Sequence, residues 1–169
     1  MTVDAGKAAV LVFLAVLIQV SALWTQLVDL PLVTLVSLAL LRGSMVGAFA
    51  GFWAGLLLDT ATLGTLGFSS LLLTLAGFWT GRYGETTGRD RAHAPFLSVA
   101  VITILTTIGA LVLHYLLGDA APARLVLVDT MPKEVVLNLL MTLPVYGLCR
   151  RLLPPHELAD RVSEVRLLG

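Results

Sequence analysis

The sequence predicts an all-α membrane protein, a compact bundle of six transmembrane helices with both termini in the cytoplasm. Hydrophobic residues make up 57% of the 169 residues, charged residues make up 13%, and the mean hydropathy is +0.93. This composition is too apolar for a soluble domain of that length. Residues 1–153 are assigned to the six-span domain and residues 154–169 to a cytoplasmic amphipathic tail.

Charge and cysteine content limit the function classes. Eleven basic and eleven acidic side chains give a formal net charge of zero, which argues against a nucleic-acid partner. Cys149 is the single cysteine, so neither a disulfide within the chain nor a cysteine-based metal cluster is expected. The sequence lacks a Walker loop, a metal-spaced set of His and Glu, and a nucleophile beside a base. We therefore expect no cofactor and no enzymatic activity.

The first span is predicted at residues 8–27, where Gln19 and Ser21 interrupt the apolar run. The next apolar stretch, residues 30–58, is long for one span of about 20 residues and short for two. Arg42 lies in its middle, and one continuous helix would bury it at membrane depth at a cost of at least about 2.5 kcal/mol. Two helices that meet at Arg42 avoid this cost.

The positions of the basic residues also favour two helices. With six spans, nine of the eleven basic residues fall on the side of the termini, and only Arg124 and Lys133 face the other way. If residues 30–58 form one merged helix, the better orientation places seven basic residues on one side of the membrane and three on the other. The first distribution follows the positive-inside rule, which places both termini in the cytoplasm. The second span is then short, and we expect it to be tilted, kinked or shielded by its neighbours.

The other spans and links follow from the alternation of apolar and polar stretches. The predicted ranges are 30–41 for the second span, 43–59 for the third, 68–78 for the fourth, 82–95 for a cytoplasmic loop, 96–117 for the fifth span, 118–133 for an external link and 134–153 for the sixth span. The tail mixes charges with Leu158, Val162 and Val165 at near-helical spacing, which predicts an amphipathic helix.

Glycines recur at every fourth residue of the third span and form one ridge on a helix. Each glycine in a helix interior costs about 1 kcal/mol relative to alanine, so the row indicates close approach of another backbone. The ridge packs against helices of the same chain, or it meets a partner or ligand. Asp59 caps the turn at Thr60, or it contacts a partner or substrate. The predicted helix-packing or partner-binding residues are Gly43, Gly47, Gly51, Gly55, Asp59, Gly67, Gly77 and Gly81.

Few other polar side chains lie within the predicted spans. His114 is expected to reach toward the membrane surface or to pack on an aromatic ring, rather than to accept a proton. Asn138 is expected to bridge two helices, which is worth about 1 kcal/mol or less. With Gln19 and Asp59, these side chains form no evident proton relay or ion site.

Three stretches carry a resemblance to a known family. They are Gly47-Ala-Phe-Ala-Gly51-Phe-Trp-Ala-Gly55-Leu-Leu-Leu-Asp59, then Leu66-Gly67-Phe68, then Gly77-Phe-Trp-Thr-Gly81. In a six-span chain of this length, they resemble the bacterial rod-shape-determining MreD family. The resemblance implies a compact six-helix fold similar to the substrate-binding subunits of energy-coupling-factor transporters. It also implies a multi-pass protein of the bacterial plasma membrane, in contact with membrane lipid.

The function implied by the resemblance is that of a non-enzymatic scaffold in the cell-elongation machinery. Such proteins bind MreC and help to organise peptidoglycan synthesis by a RodA-type glycosyltransferase and a class B penicillin-binding transpeptidase, with MreB as an indirect partner. The alternative is a substrate-capturing subunit of an energy-coupling-factor vitamin transporter, in which Ala5 and Ala9 would serve for docking. Against the alternative, the link after the first span is too short for a lid, and the external face lacks a dense set of polar residues.

Overall fold

The computed structural model describes residues 2–21, 28–87, 93–118 and 123–153, which form helices and contain no strand. Within Ala123–Leu152, a π-helical segment, Val126–Thr130, precedes the α-helix Met131–Leu152. We number the six helices α1 (Thr2–Ser21), α2 (Leu30–Arg42), α3 (Ser44–Thr62), α4 (Phe68–Thr87), α5 (Ala94–Leu116) and α6 (Ala123–Leu152).

Helix α2 lies at the centre of the fold. Eleven consecutive residues, Pro31 to Leu41, are buried, and the helix contacts each of the other five helices. A helix that is apolar on all sides needs such complete cover. Its N-terminus is fixed by Asp29, whose Oδ1 accepts a hydrogen bond from the Leu32 N–H at 3.2 Å. The expectation that its neighbours shield this short helix is confirmed.

The apolar stretch 30–58 contains two helices, as the basic residues predict. Gly43 separates α2 from α3 with φ +96°, a backbone conformation that side chains with a Cβ rarely adopt. Its N–H donates to the Ala39 carbonyl at 2.8 Å and so closes the last turn of α2. The chain can therefore reverse direction at Arg42.

Two predicted links are largely helical, which corrects the sequence-based boundaries. Helix α4 continues to Thr87 through the first part of the predicted loop 82–95, and Gly84 in this part packs on Leu40 of α2. Helix α6 begins at Ala123, inside the predicted link 118–133. The predicted tail, 154–169, lies outside the described residues, as do residues 22–27 of the predicted first span.

Three of the described helices, α3, α5 and α6, are long and apolar enough to cross a membrane. The structure thus shows an all-helical chain with membrane-length helices, and the number of spans stays a prediction. We call the end of the bundle where α3 stops and α4 starts the Asp59 end. The opposite end, where α2 stops and α3 starts, is the Arg42 end.

Candidate functional site

Helices α3 and α4 are joined along a glycine seam. A Cβ on Gly51 would lie far inside van der Waals contact with the Leu73 carbonyl group. Gly47 and Gly77 face each other, and a Cβ on either would meet the other's carbonyl oxygen. The two backbones therefore touch, which only glycine permits at these positions.

The seam extends to both ends of the helix pair. Gly55 lies against the backbone of Ser70, and Gly81 lies against the backbone of Ser44. Gly43 and Gly67 have other roles: each takes a positive φ, +96° and +91°, just before the first residue of α3 and of α4. The predicted ridge thus faces α4 from Gly47 onward, and Gly43 instead ends α2.

Asp59 caps α4 from the last turn of α3. Only 3% of its surface is exposed. Its Oδ2 accepts the Gly67 N–H at 2.8 Å, and its Oδ1 accepts the Ser69 N–H at 3.0 Å. Of the two roles expected for Asp59, the structure shows the local cap, because the carboxylate spans the turn after Thr60 and satisfies N–H groups at the start of the following helix. The Thr60 hydroxyl donates to carbonyls of its own helix.

Glu85 performs the mirror-image role at the Arg42 end. Its Oε1 accepts the Ser44 N–H at 2.7 Å and the Ser44 hydroxyl at 2.9 Å. Each helix of the antiparallel α3–α4 pair therefore supplies a carboxylate to the N-terminus of the other, where negative charge is stabilising. Sequence alone misses Glu85 because it assigns residues 82–95 to a loop. The i, i+3 ion pair of Arg82 with Glu85, at 3.6 Å, is a signal that favours a helix.

A second polar cluster joins the other helices at the Asp59 end. Asn138 of α6 is fully buried, and its Oδ1 accepts the Asp29 N–H at 2.9 Å. Its Nδ2 donates to the Thr103 hydroxyl of α5 at 3.2 Å. The expectation that Asn138 bridges two helices is confirmed. Gln19 of α1 accepts the Leu30 N–H at 3.1 Å and so ties α1 to the start of α2.

Two adjoining cavities lie beside this cluster, with volumes of about 650 and 370 Å³. The larger is lined mainly by polar side chains and the smaller mainly by apolar ones. The Asp59 end, which the predicted topology makes external, thus carries a denser set of polar residues than expected. Six residues line both cavities: Asp29, Leu58, Ser69, Thr106, Thr107 and Glu134.

Two carboxyl groups stand where the cavities meet. Glu134 Oε2 accepts a hydrogen bond from the Thr107 hydroxyl at 3.2 Å. Asp29 precedes α2 and belongs to no helix. Burial raises the pKa of its carboxyl to about 6, the Leu32 N–H lowers it, and the Glu134 carboxylate raises it by a smaller amount. Sequence alone overlooks both acids, because each lies at a predicted span boundary, where a carboxylate is ordinary.

His114 lies in the wall of the smaller cavity. Its ring centroid is 4.8 Å from that of Phe68, which confirms the expected packing against an aromatic ring. Within the described ranges, no group of three or more His, Cys, Asp and Glu residues could hold a metal ion.

An apolar groove of about 260 Å³ separates α4 from α5. Trp79, Tyr83 and Val101 lie in its walls. The hydroxyls of Thr80 and Ser98 also border it, and both are buried without a hydrogen-bond partner. Hydroxyls elsewhere in these helices, such as that of Thr74, donate to the carbonyl four residues earlier. We call this feature the α4–α5 groove.

The described chain has helices of membrane length, a glycine seam between α3 and α4, and carboxylates that cap helices. Together these features define an all-helical membrane protein with closely packed helices. Residues 8–152 match the sequence model of the family described as rod shape-determining protein MreD. The chain therefore belongs to the MreD family, a family of membrane proteins that determine cell shape, and the predicted resemblance is confirmed. No curated protein and no solved structure matches the chain.

Proposed function

We propose that this protein is a non-enzymatic scaffold of the bacterial cell-elongation machinery that holds MreC in the plasma membrane. The match of residues 8–152 to the MreD family carries this proposal. Through MreC, the protein helps to organise peptidoglycan synthesis by a RodA-type glycosyltransferase and a class B penicillin-binding transpeptidase, and MreB is linked indirectly. In support, Asp59, Glu85 and Asn138 are engaged in capping and bridging helices.

In this proposal all six helices cross the membrane, with both termini in the cytoplasm. The central position of α2 supports it, because a helix covered by five others does not need the length that lipid contact demands. The Arg42 end is then cytoplasmic and the Asp59 end external. The excess of basic residues on the side of Arg42 agrees with this orientation.

The glycine seam supports partner binding indirectly. Helix α4 covers the seam, so a partner helix cannot reach the ridge without displacing α4. The seam instead fixes how α4 is presented to its other neighbours. The α4–α5 groove is the surface that receives the transmembrane helix of MreC. The exposed lining of this groove is almost entirely apolar and lies between two helices, which suits a membrane-spanning partner helix.

Substitution of Gly51 by Leu tests the scaffold. The new side chain would collide with the Leu73 backbone, so α3 and α4 must separate. We expect MreC recovery to fall to background when tagged protein is purified from detergent-solubilised membranes. The matched control is Gly147→Leu on α6, where a Cβ has open space and MreC should be retained. Normal recovery with Gly51→Leu would contradict the proposal.

Substitution of Val101 by Trp tests the groove itself. Val101 is 45% exposed on the wall of the groove, so a larger ring can fill it without entering the core. We expect MreC recovery to fall about tenfold, equivalent to about 1.4 kcal/mol. The control Val136→Trp alters a residue on α6 that is 65% exposed and borders no described cavity. Equal recovery from both variants would place MreC on another surface.

The alternative, a substrate-capturing transporter subunit, draws support from the two cavities at the Asp59 end. Mass spectrometry of the same purified material separates the alternatives. Recovery of MreC supports the scaffold, whereas a bound vitamin without MreC supports the transporter subunit.

A further inference from the structure

Asp29 and Glu134 line the same two open cavities, in which His114 is the one basic side chain among the described lining residues. Both line the two cavities at the Asp59 end, and both are half-buried. In the described part of the chain, no lysine or arginine lines either cavity, and neither carboxylate forms an ion pair. Two carboxylates that share a cavity repel each other, and an opposite charge placed between them offsets that repulsion, so the site favours a cation.

The residues that line the two cavities indicate which kind of cation would bind. On one side of the carboxylates, the larger cavity offers Gln19, Thr103 and Asn138. On the other side, the smaller cavity offers Phe68, Leu72 and Leu111. A ligand that fills both has a charged group with hydrogen-bond donors next to an apolar body. Volumes of about 650 and 370 Å³ lie within the range of small-molecule sites, about 300–1,000 Å³.

We propose that these cavities form a binding site for a protonated amine, with the ammonium group between Asp29 and Glu134 and an apolar body against Phe68 and Leu72. The ammonium N–H groups would donate to oxygens of the two carboxylates in charge-assisted hydrogen bonds. The amine site is independent of the proposed scaffold role, because it is complete in this chain and requires no MreC.

Other occupants fit less well. An inorganic cation would satisfy the charges but leave the apolar wall of Phe68 and Leu72 uncovered. The ammonium headgroup of phosphatidylethanolamine has the same chemistry as a soluble amine. It would, however, bring a phosphate close to two carboxylates, where like charges repel. A soluble amine is therefore the favoured source, and the lipid is distinguished from it by experiment.

Benzylamine is a suitable probe, and benzyl alcohol is its uncharged match. We expect benzylamine to raise the thermal unfolding midpoint of the purified full-length protein in detergent, saturably and with a 1:1 stoichiometry by calorimetry. Glu134→Gln and Asp29→Asn should each weaken its binding about tenfold or more, equivalent to about 1.4 kcal/mol. Both changes keep a hydrogen-bond acceptor for Thr107 or Leu32. The control Asp129→Asn removes an exposed carboxylate of α6 and should bind like wild type.

Three results would overturn the proposal. They are equal stabilisation by benzyl alcohol, unchanged benzylamine binding in the double variant Asp29→Asn/Glu134→Gln, and saturable binding of sodium or potassium that excludes benzylamine. Binding in nanodiscs of phosphatidylcholine, with or without phosphatidylethanolamine, distinguishes a soluble amine from a lipid headgroup as the natural ligand. Undiminished benzylamine binding in both supports a soluble amine, and competition by phosphatidylethanolamine assigns the same ammonium site to the lipid. Failure of MreC recovery would leave all of these measurements valid.

Discussion

The carboxylate of Asp59 belongs to α3 but completes the N-terminus of α4. Two backbone N–H groups, those of Gly67 and Ser69, would otherwise be left without acceptors near the start of that helix. The Asp59 side chain is almost fully buried, and its two hydrogen bonds are partly buried. The arrangement uses two acceptor oxygens, and a neutral or shorter side chain leaves at least one of these N–H groups without its acceptor.

Substitution of Asp59 by Ala is expected to lower the free energy of unfolding by about 1.5–3 kcal/mol, the range for hydrogen bonds to a charged group. Asn keeps one acceptor and should cost less than Ala. Urea unfolding in detergent micelles, followed by tryptophan fluorescence, measures the difference. The control Asp129→Ala removes an exposed carboxylate on α6 and should change stability little. An equal effect of the two alanine variants would show that the Asp59 cap contributes nothing.

The role of an individual residue could be predicted from the sequence where that role depends on its neighbours in the chain. The spacing of Gly47, Gly51 and Gly55 indicates close backbone contact whatever the partner. The donors that Asp59 serves are eight and ten residues away, beyond a turn, and nothing in the spacing specifies them. Glu134 and Asp29 come together only through tertiary packing, so sequence alone cannot reveal that they share a cavity.

At the scale of the element, α3 and α4 act as one unit. Glycine contacts run along their length, and a carboxylate from each helix caps the other at the opposite end. Sliding either helix by one turn would break both caps and move side chains into the seam. The pair therefore has one register, which is the physical reason to expect Gly51→Leu to act on the whole pair.

Element boundaries were harder to predict than element existence. The break at Gly43 follows from Arg42, a single charge in an apolar run. The ends of α4 and the start of α6 do not follow from hydropathy, because polar residues such as Arg82 and Glu85 continue the helix beyond its apolar part. Hydropathy reports where a segment meets lipid, whereas the hydrogen-bonded helix extends further.

At the scale of the whole molecule, the orientation in the membrane can be tested with single cysteines. Gly64→Cys lies at the exposed Asp59 end, and Thr86→Cys lies at the exposed Arg42 end. The native Cys149 is 1% exposed and gives little background. In intact spheroplasts, a membrane-impermeant maleimide should label Gly64→Cys, and it should label Thr86→Cys only after lysis. The reverse pattern would contradict the proposed orientation.

The buried position of α2 also bears on how the chain enters the membrane. Its 13 residues extend about 20 Å at about 1.5 Å per residue, less than the roughly 30 Å of a bilayer's hydrocarbon core. During synthesis, α2 leaves the ribosome before four of the five helices that surround it. In the proposed six-span arrangement, the nascent chain would therefore hold a segment too short to span by itself until the later helices are made. A ribosome stall after Arg42 would then leave α2 without the helices that cover it.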